Sequence, residues 1–391
     1  MGVILLGMGL AFAMIIQGLP EQVSFGEAVS IAGMMGKLDV VNFSFDLNER
    51  YTFWSGITGG LFLALSYFGT DQSQVQRYLG GSSVSESRMG LMFNALLKIP
   101  MQFFILFVGV MVFVFFQFQS HPVLFNTNAT AQVYATPFAG EMKKIEADYV
   151  LAHQKKNVAI DAVLLGLKAN NEASLAPAVT QLKAADAHEI AVRDRAKNLL
   201  KKAVPESKSK DSDYVFLTFI MNYLPVGMIG LLLAVIFSAA MSSTAGELNA
   251  LAATTTIDFY KRLIKKNGSD RHYLRASKLL TAGWGAIAIT FALFAHLVEN
   301  LIEAVNILGS IFYGTILGIF LVAFFLKRVK GRPTFFAALI AQTAVIVLYV
   351  GYSDLVAYLW YNVIGCGLVM LLALLLNLVI PDKHVPSEST N

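Results

Sequence analysis

The sequence has few of the residues that soluble enzymes and disulfide-stabilised proteins rely on. Its single cysteine, Cys366, lies inside an apolar stretch, which excludes a disulfide framework or a thiolate metal cluster within the chain. Its six histidines are scattered through loops and span ends, without metal-ligand spacing or a paired carboxylate. No glycine-rich phosphate loop follows a strand, and no ring-forming filter motif of a channel is present. These absences argue against an enzyme and against a channel.

Charged residues are also scarce, at 14% of the 391 residues, while 56% are apolar. Such a composition with long uncharged runs is typical of a polytopic membrane protein. The first apolar run lacks the basic start and the cleavage site of a signal peptide. Eight candidate spans are each about long enough to cross a bilayer: 2–17, 51–69, 91–118, 225–258, 277–297, 302–326, 334–351 and 357–380.

The distribution of positive charge predicts the orientation of these spans. Segment 259–278 holds seven lysines and arginines and segment 327–333 holds four, whereas the short loops 298–301 and 352–356 hold none. Because positively charged loops stay on the cytoplasmic side, the basic loops and the C-terminal tail are expected in the cytoplasm. The chain is therefore expected to be a multi-pass protein of the plasma (inner) membrane, with segment 119–212 outside.

Segment 119–212 interrupts the membrane pattern. It holds 13 lysines and arginines, and its apolar residues recur at helical spacing, as at Leu164, Leu167, Val179 and Leu182. This pattern predicts an external insertion of two to four amphipathic helices. A solvated hairpin that shields the external mouth is favoured over a ligand-binding domain.

The stretch from Gly230 to Arg262, GLLLAVIFSAAMSSTAGELNALAATTTIDFYKR, changes from an apolar helix to a run of small and hydroxylic residues. Ala239, Ser242 and Ser243 fall at i, i+3 and i+4 and share one helical face. Their hydroxyls and backbone carbonyls have the oxygen chemistry that a small hard cation requires. The same residues are also typical of a packing seam of small side chains, and periodicity alone favours the seam.

Within this stretch, SAAMSS followed by LNALAATTTIDFYKR resembles the eighth core helix of the sodium:solute symporter family, which includes the sodium/glucose cotransporters. The resemblance implies an all-α, polytopic membrane protein with a partial LeuT-like inverted-repeat core. It also implies a sodium ion held by Ala239, Ser242 and Ser243. Some relatives bind a second sodium with hydroxyls three and four positions after the first serine. Those positions here are Ala245 and Gly246, so a single coupled sodium is expected.

The string TDQ-x-x-VQR-x-L, which begins at Thr70, resembles the sixth core helix of the family. The family places sugar-contacting or gating side chains on this helix, which implies such roles for Tyr67, Phe68 and Gln72. Asp71 and Arg77 lie six residues apart, so a direct ion pair requires a break in the helix near Gly69. A gating role and a capped, charge-compensated helix end are equally open for these two residues.

Three further residues are expected to contact the solute. Asn94 and Lys98 lie near the start of the third span, where the resemblance to the seventh core helix suggests an approach to the substrate. Lys98 could instead extend to the cytoplasmic interface. Asn306 stands where sugar transporters of the family carry a substrate-contacting glutamine.

The resemblance implies four parts of the chain. Residues 1–118 resemble core helices five to seven, 119–212 form the insertion, 213–380 resemble helices eight to ten plus two peripheral helices, and 381–391 form the tail. Relative to the family the sequence is expected to be N-terminally truncated. The expected function is sodium-coupled symport of a small organic solute, a sugar or a related compound, with the lipid bilayer and no nucleic acid as partner. A transport-inactive fragment and a sensor or scaffold are the alternatives.

Overall fold

Every regular element in the described part of the chain is a helix. The computed structural model describes residues 2–39, 41–205, 211–294 and 301–380, without the side chains of 301–303. The helices in chain order are α1 (Gly2–Gln17), α2 (Phe25–Met34), α3 (Phe53–Ser55), α4 (Leu61–Thr70), α5 (Gln72–Leu79), α6 (Val84–Phe118), α7 (Thr127–Tyr134), α8 (Ala139–Lys168), α9 (Glu172–Ala203), α10 (Ser212–Tyr223), α11 (Val226–Thr254), α12 (Asp270–Phe294), α13 (Leu301–Phe325), α14 (Gly331–Tyr352) and α15 (Leu359–Val379). A π-helical segment, Gly56–Gly60, joins α3 to α4, and a second, Thr255–Ile264, extends α11. The predicted tail 381–391 lies outside the described residues.

Six of these helical stretches are long and apolar enough to cross a membrane, judged by length and composition within the described residues. They are Val84–Phe118, Val226–Ile264, Asp270–Phe294, Ala304–Phe325, Gly331–Tyr352 and Leu359–Val379. The first predicted span is α1, a shorter apolar helix of 16 residues. The second is helical from Phe53 to Thr70, but the π-helical segment divides it. The chain is a multi-pass membrane protein. Among the described residues, six of the eight expected spans are helices that are long and apolar enough to cross a bilayer.

The chain divides into two compact units, each made of segments that are distant in sequence. The first unit comprises Met1–Val40 and Asn94–Met241, and the second comprises Val41–Phe93 and Ser242–Asn391. One division lies between Val40 and Val41, and the other two fall inside helices α6 and α11. The part boundaries at 118 and 212, inferred from the change between apolar and polar sequence, stay a prediction.

The insertion in the first unit is built on a hairpin of two long helices, α8 and α9. Asn170 closes α8 in the left-handed region at a φ of 49°, a conformation that asparagine tolerates better than most residues. The side chain of Asn171 then accepts from the Ala173 amide and caps α9. Leu164 and Leu182 are buried in the core of the unit, as their helical spacing predicts. The insertion is therefore helical, with α7 as a short third helix before the hairpin.

Glycines determine how closely the helices of the second unit approach α15. A Cβ at Gly314 of α13 would lie 2.5 Å from the Asn362 carbonyl oxygen, and one at Gly59 would lie 2.5 Å from that of Leu359. A Cβ at Gly318 would lie 2.7 Å from the Val369 Cβ. Real side chains do not approach so closely, so α15 packs against backbone at these positions. Close backbone contact at small residues is the usual way in which membrane helices associate.

Candidate functional site

The three residues predicted to hold sodium lie on one face of the continuous helix α11. Ala239, Ser242 and Ser243 are all exposed in the described part of the chain. Neither serine hydroxyl forms a hydrogen bond to a described residue. By contrast, Thr255 and Thr256 at the end of the same helical stretch donate to carbonyls four residues back, each at 2.7 Å. The two serines therefore present oxygen atoms that the helix itself does not use.

A helix break lies at Asp71, two residues beyond Gly69, near which a direct Asp71–Arg77 pair would require one. Helix α4 ends at Thr70, and Asp71 has extended backbone angles of φ −74° and ψ 119°. Its carboxylate caps α5, because one oxygen accepts from the Ser73 amide at 2.9 Å and from the Ser73 hydroxyl at 2.7 Å. The capped helix end that the sequence left open is thus present at Asp71.

The second carboxylate oxygen of Asp71 connects this break to helix α13. The Tyr313 hydroxyl donates to it at 3.2 Å, and the Ser66 hydroxyl of α4 donates to the Tyr313 carbonyl at 2.9 Å. Ser66 is fully buried. No ion pair joins Asp71 to Arg77 among the described residues, so the direct pair considered from the sequence is not formed. Asp71 serves as a joint between three helices.

Arg77 instead extends from α5 towards α11. Its Nη2 atom would lie 3.2 Å from a Cβ built on Gly246, so the guanidinium occupies the space that a side chain at this position would need. The charges of Asp71, Glu247 and Arg77 all act on the Tyr67 hydroxyl. Tyr67 and these three charged residues therefore form one polar cluster in the second unit.

The other predicted residues of this unit surround the cluster less closely. Phe68 packs its ring edge-on against that of Tyr67, with the centroids 5.1 Å apart. Gln72 is the first residue of α5 and is exposed, whereas Asn306 lies half-buried on α13. No hydrogen bond between described residues joins either amide to the cluster, so their substrate roles stay predictions.

Asn94 and Lys98 belong to the first unit. They lie one turn apart on α6, on the same face of the helix, and both are exposed. Helix α6 is continuous through Pro100 to Phe118. The two residues thus share a helical face, and their contact with a solute stays a prediction.

A cavity of 550 Å³ lies between α1, α6, α10 and α11 of the first unit. Its walls are apolar side chains apart from Ser212, with Gly7 and Gly109 exposing backbone. Such a cavity offers almost no hydrogen-bonding groups to a sugar or a sodium ion, which need oxygen or nitrogen partners. The polar candidates for a solute lie elsewhere.

Sequence reasoning missed Tyr313 and Ser66 as partners of the break. Tyr313 is 242 residues from Asp71, and its aromatic ring in an apolar helix is typical of a core residue. Only an ionisable Asp71 inside a span indicated that some distant polar partner was needed.

Comparisons with known proteins agree with this architecture. Residues 188–340 match the model of the sodium:solute symporter family. The sodium/sialic acid symporter NanT of Aliivibrio fischeri is 32% identical over 162 residues, which are 40% of this chain and 31% of the relative. The sodium/sialic acid symporter SiaT of Proteus mirabilis is 30% identical over 149 residues, or 38% of this chain and 30% of the relative. The chain thus matches about a third of the length of these relatives.

A solved structure extends the likeness to nearly the whole chain. A Na⁺-coupled sialic acid symporter in a substrate-bound outward-open state has the same fold with a TM-score of 0.60 at 18% identity. The alignment covers 96% of this chain and 59% of the solved one. The expected all-α transporter fold is therefore confirmed. The chain thus resembles the sodium:solute symporter family over residues 188–340, and the proteins that it matches are transporters and not enzymes.

Proposed function

We propose that the chain carries out sodium-coupled symport of a small organic solute across the plasma (inner) membrane by alternating access. The observation that carries this proposal is the pair of unused hydroxyls on α11, at Ser242 and Ser243, inside the matched region. In hydrocarbon a hydroxyl needs a polar partner, and a sodium ion bound with nearby carbonyls supplies one. Ala239 contributes its backbone carbonyl and leaves room beside the ion.

The mechanism follows from how an ion biases a two-state protein. Sodium that binds the outward-open state more tightly than the inward-open state raises the population of the former. Solute then binds, and the change of access carries both across. Each sodium that moves down a potential of 100 mV supplies about 2.3 kcal/mol before its concentration gradient is counted.

The polar cluster around Tyr67 is the part of the second unit best suited to respond to sodium. Arg77 already contacts α11 at Gly246, one turn from Ser242 and Ser243. A shift of α11 on sodium binding would therefore displace Arg77 and, through α5, change the position of Asp71. We assign Asp71, Arg77 and Phe68 to gating and Tyr67, Gln72, Asn94, Lys98 and Asn306 to the solute.

Sialic acid is the first solute to test, because two of the relatives are sodium/sialic acid symporters. It carries a carboxylate, for which Lys98 is a suitable cationic partner. Uptake of labelled N-acetylneuraminic acid and of labelled glucose should be compared in proteoliposomes, with a sodium gradient and with potassium in its place. Sodium-dependent uptake of sialic acid that exceeds uptake of glucose is expected. Uptake of neither would favour the transport-inactive alternative.

The sodium assignment predicts a specific mutational pattern. Ser242→Ala and Ser243→Ala should each raise the sodium concentration for half-maximal uptake about fivefold, equivalent to about 1 kcal/mol for one lost oxygen ligand. Solute affinity at saturating sodium should change much less.

Thr343→Val is a matched control, because the Thr343 hydroxyl in span α14 already donates to the Leu339 carbonyl at 2.8 Å. It should leave the sodium dependence unchanged. If both serine variants also keep the wild-type sodium dependence, the two residues belong to a packing seam, and the proposed site is wrong.

A further inference from the structure

A compact polar cluster lies in the insertion and includes none of the residues assigned to transport. It brings together three segments of the first unit: His121 from the connection after α6, His153 from α8 and Glu189 from α9. One ligand atom from each residue lies within 4.8 Å of the others. The sequence indicated neither metal-ligand spacing nor a paired carboxylate for these histidines, because the residues are 32 to 68 positions apart in the chain. That sequence-based exclusion is corrected by the fold.

His153 has the carboxylate partner that is typical of a metal-binding histidine. Its Nδ1 lies 3.0 Å from Glu189 Oε2, while Lys156 donates to the other oxygen, Glu189 Oε1, at 2.6 Å. A histidine that donates one ring N–H to a carboxylate has its opposite nitrogen fixed in orientation as a lone-pair donor. Metal-bound histidines almost always have such a partner.

The opposite nitrogen of His153 has no partner. Nε2 is buried and forms no hydrogen bond among the described residues. The whole residue is only 9% exposed. Buried polar atoms in folded proteins almost always have a hydrogen-bond partner, so an unpaired one requires an explanation. A metal ion that accepts the lone pair of Nε2 would provide that explanation.

His121 supplies a second imidazole to the cluster. The centroids of the two imidazole rings are 5.2 Å apart. The Tyr149 hydroxyl lies 3.0 Å from His121 Nδ1 and 3.1 Å from its Nε2, and Nδ1 also lies 3.1 Å from the Pro122 carbonyl oxygen. Two imidazoles from separate segments therefore meet at this place.

The charges around the cluster also tolerate a cation. Three carboxylates, Glu189, Asp186 and Asp211, are paired with only two cations, Lys156 and Arg193. The group has a net formal charge of −1 before any metal binds.

We propose that His121 and His153 bind one divalent transition-metal ion of the zinc class, with Glu189 and Tyr149 as supporting oxygen groups. Nitrogen and oxygen donors suit Zn²⁺, which coordinates histidine at about 2.0–2.1 Å. A tetrahedral ion of this size holds its ligands about 3.4 Å apart, so the side chains would close by roughly an ångström on binding. Water completes the coordination. The ion would link the connection after α6 to the α8–α9 hairpin.

The test is zinc binding by the full chain, without an affinity tag, in detergent micelles. Calorimetry should show one saturable Zn²⁺ per chain, and bound Co²⁺ should give the visible absorption of a protein-coordinated ion. His153→Asn keeps a side-chain donor for Glu189 but removes Nε2, and His121→Asn removes the second imidazole. Each substitution should weaken zinc binding at least tenfold, because loss of a group that only supports a metal ligand already costs about 10–100-fold.

His188→Asn is the matched control, because His188 is exposed on α9 beside Glu189 and outside the cluster. It should leave zinc affinity unchanged. Helix content and thermal unfolding identify a variant that fails to fold, and His121, on the half-buried connection, remains informative if His153→Asn does. The site is rejected if the wild-type chain shows no saturable zinc binding, or if both cluster variants bind zinc like the wild type.

Discussion

Arg77 illustrates how one side chain can determine which ions a membrane site accepts. Its guanidinium lies against Gly246, one of the two positions where some relatives of the family carry the hydroxyls of a second sodium site. At an effective dielectric constant of 20, a sodium ion about 5 Å from this charge meets a repulsion of about 3 kcal/mol. Ala245 and Gly246 provide no side-chain oxygen to offset it. Both effects act against a second sodium.

We therefore predict one coupled sodium per transport cycle. The ratio of labelled sodium to labelled solute entering proteoliposomes should be near one, and the sodium dependence should be hyperbolic. A ratio near two in the wild type would contradict the prediction. Glu247→Ala then locates the additional site, since a fall from two to one would show that Glu247 supplies the missing oxygen.

Relations between residues were predictable from the sequence within one helix and unpredictable where the fold assembles them. Helical spacing predicts that Ser242 and Ser243 share a face, because that face is set locally. Their sodium role rests on the family resemblance and stays a prediction. The partnership of Asp71 with Tyr313 depends on packing between helices 242 residues apart, and His153 reaches Glu189 only through the α8–α9 hairpin. Polar partners across a fold leave no periodic pattern in the chain.

At the scale of elements, the long apolar helices were predicted well because a run of about 20 apolar residues has one dominant reading. The break between α4 and α5, which a direct Asp71–Arg77 pair would require near Gly69, occurs at Asp71. Glycine removes steric limits but does not itself end a helix, whereas an aspartate in an extended conformation caps the next helix and fixes the break. Local side-chain chemistry decided the boundary.

The packing of α13 against α15 predicts opposite changes in stability when two glycines are each replaced by alanine. Gly314→Ala should destabilise the protein by roughly 1–3 kcal/mol, because its Cβ would overlap the backbone of Asn362. Gly367→Ala, on the exposed side of α15 with nothing within 4 Å, should instead stabilise by up to about 1 kcal/mol through helix propensity.

Thermal unfolding of the purified chain in detergent, followed by tryptophan fluorescence, measures both changes. A lower midpoint for Gly314→Ala and an equal or higher midpoint for Gly367→Ala are expected. Equal shifts in the two variants would mean that the close approach of α13 to α15 does not contribute to stability.

At the scale of the whole molecule, fold class and family were accessible from sequence, but the division into compact units was not. Changes between apolar and polar sequence suggested boundaries at 118 and 212, and these stay a prediction. The compact units divide between Val40 and Val41, within α6 and within α11, so each unit combines segments from both halves of the chain. Compactness depends on which helices touch, and local composition does not encode that.

Orientation in the membrane is the remaining property that the charge distribution predicts for the whole molecule. The seven lysines and arginines in 259–278 should hold that segment in the cytoplasm, which puts the 119–212 insertion outside. The native Cys366 is buried and can be replaced by alanine, so that single cysteines can be introduced at exposed sites. Lys183→Cys on α9 and Lys266→Cys after the π-helical end of α11 are matched, exposed positions.

A membrane-impermeant maleimide applied to intact cells should label Lys183→Cys at once, and Lys266→Cys only after the membrane is permeabilised. The expected difference rests on charge, because moving the basic segment across the bilayer would carry seven positive charges against the positive-inside preference. The reverse pattern would invert the topology. It would also put the proposed zinc site in the cytoplasm, where it would sample intracellular rather than external metal.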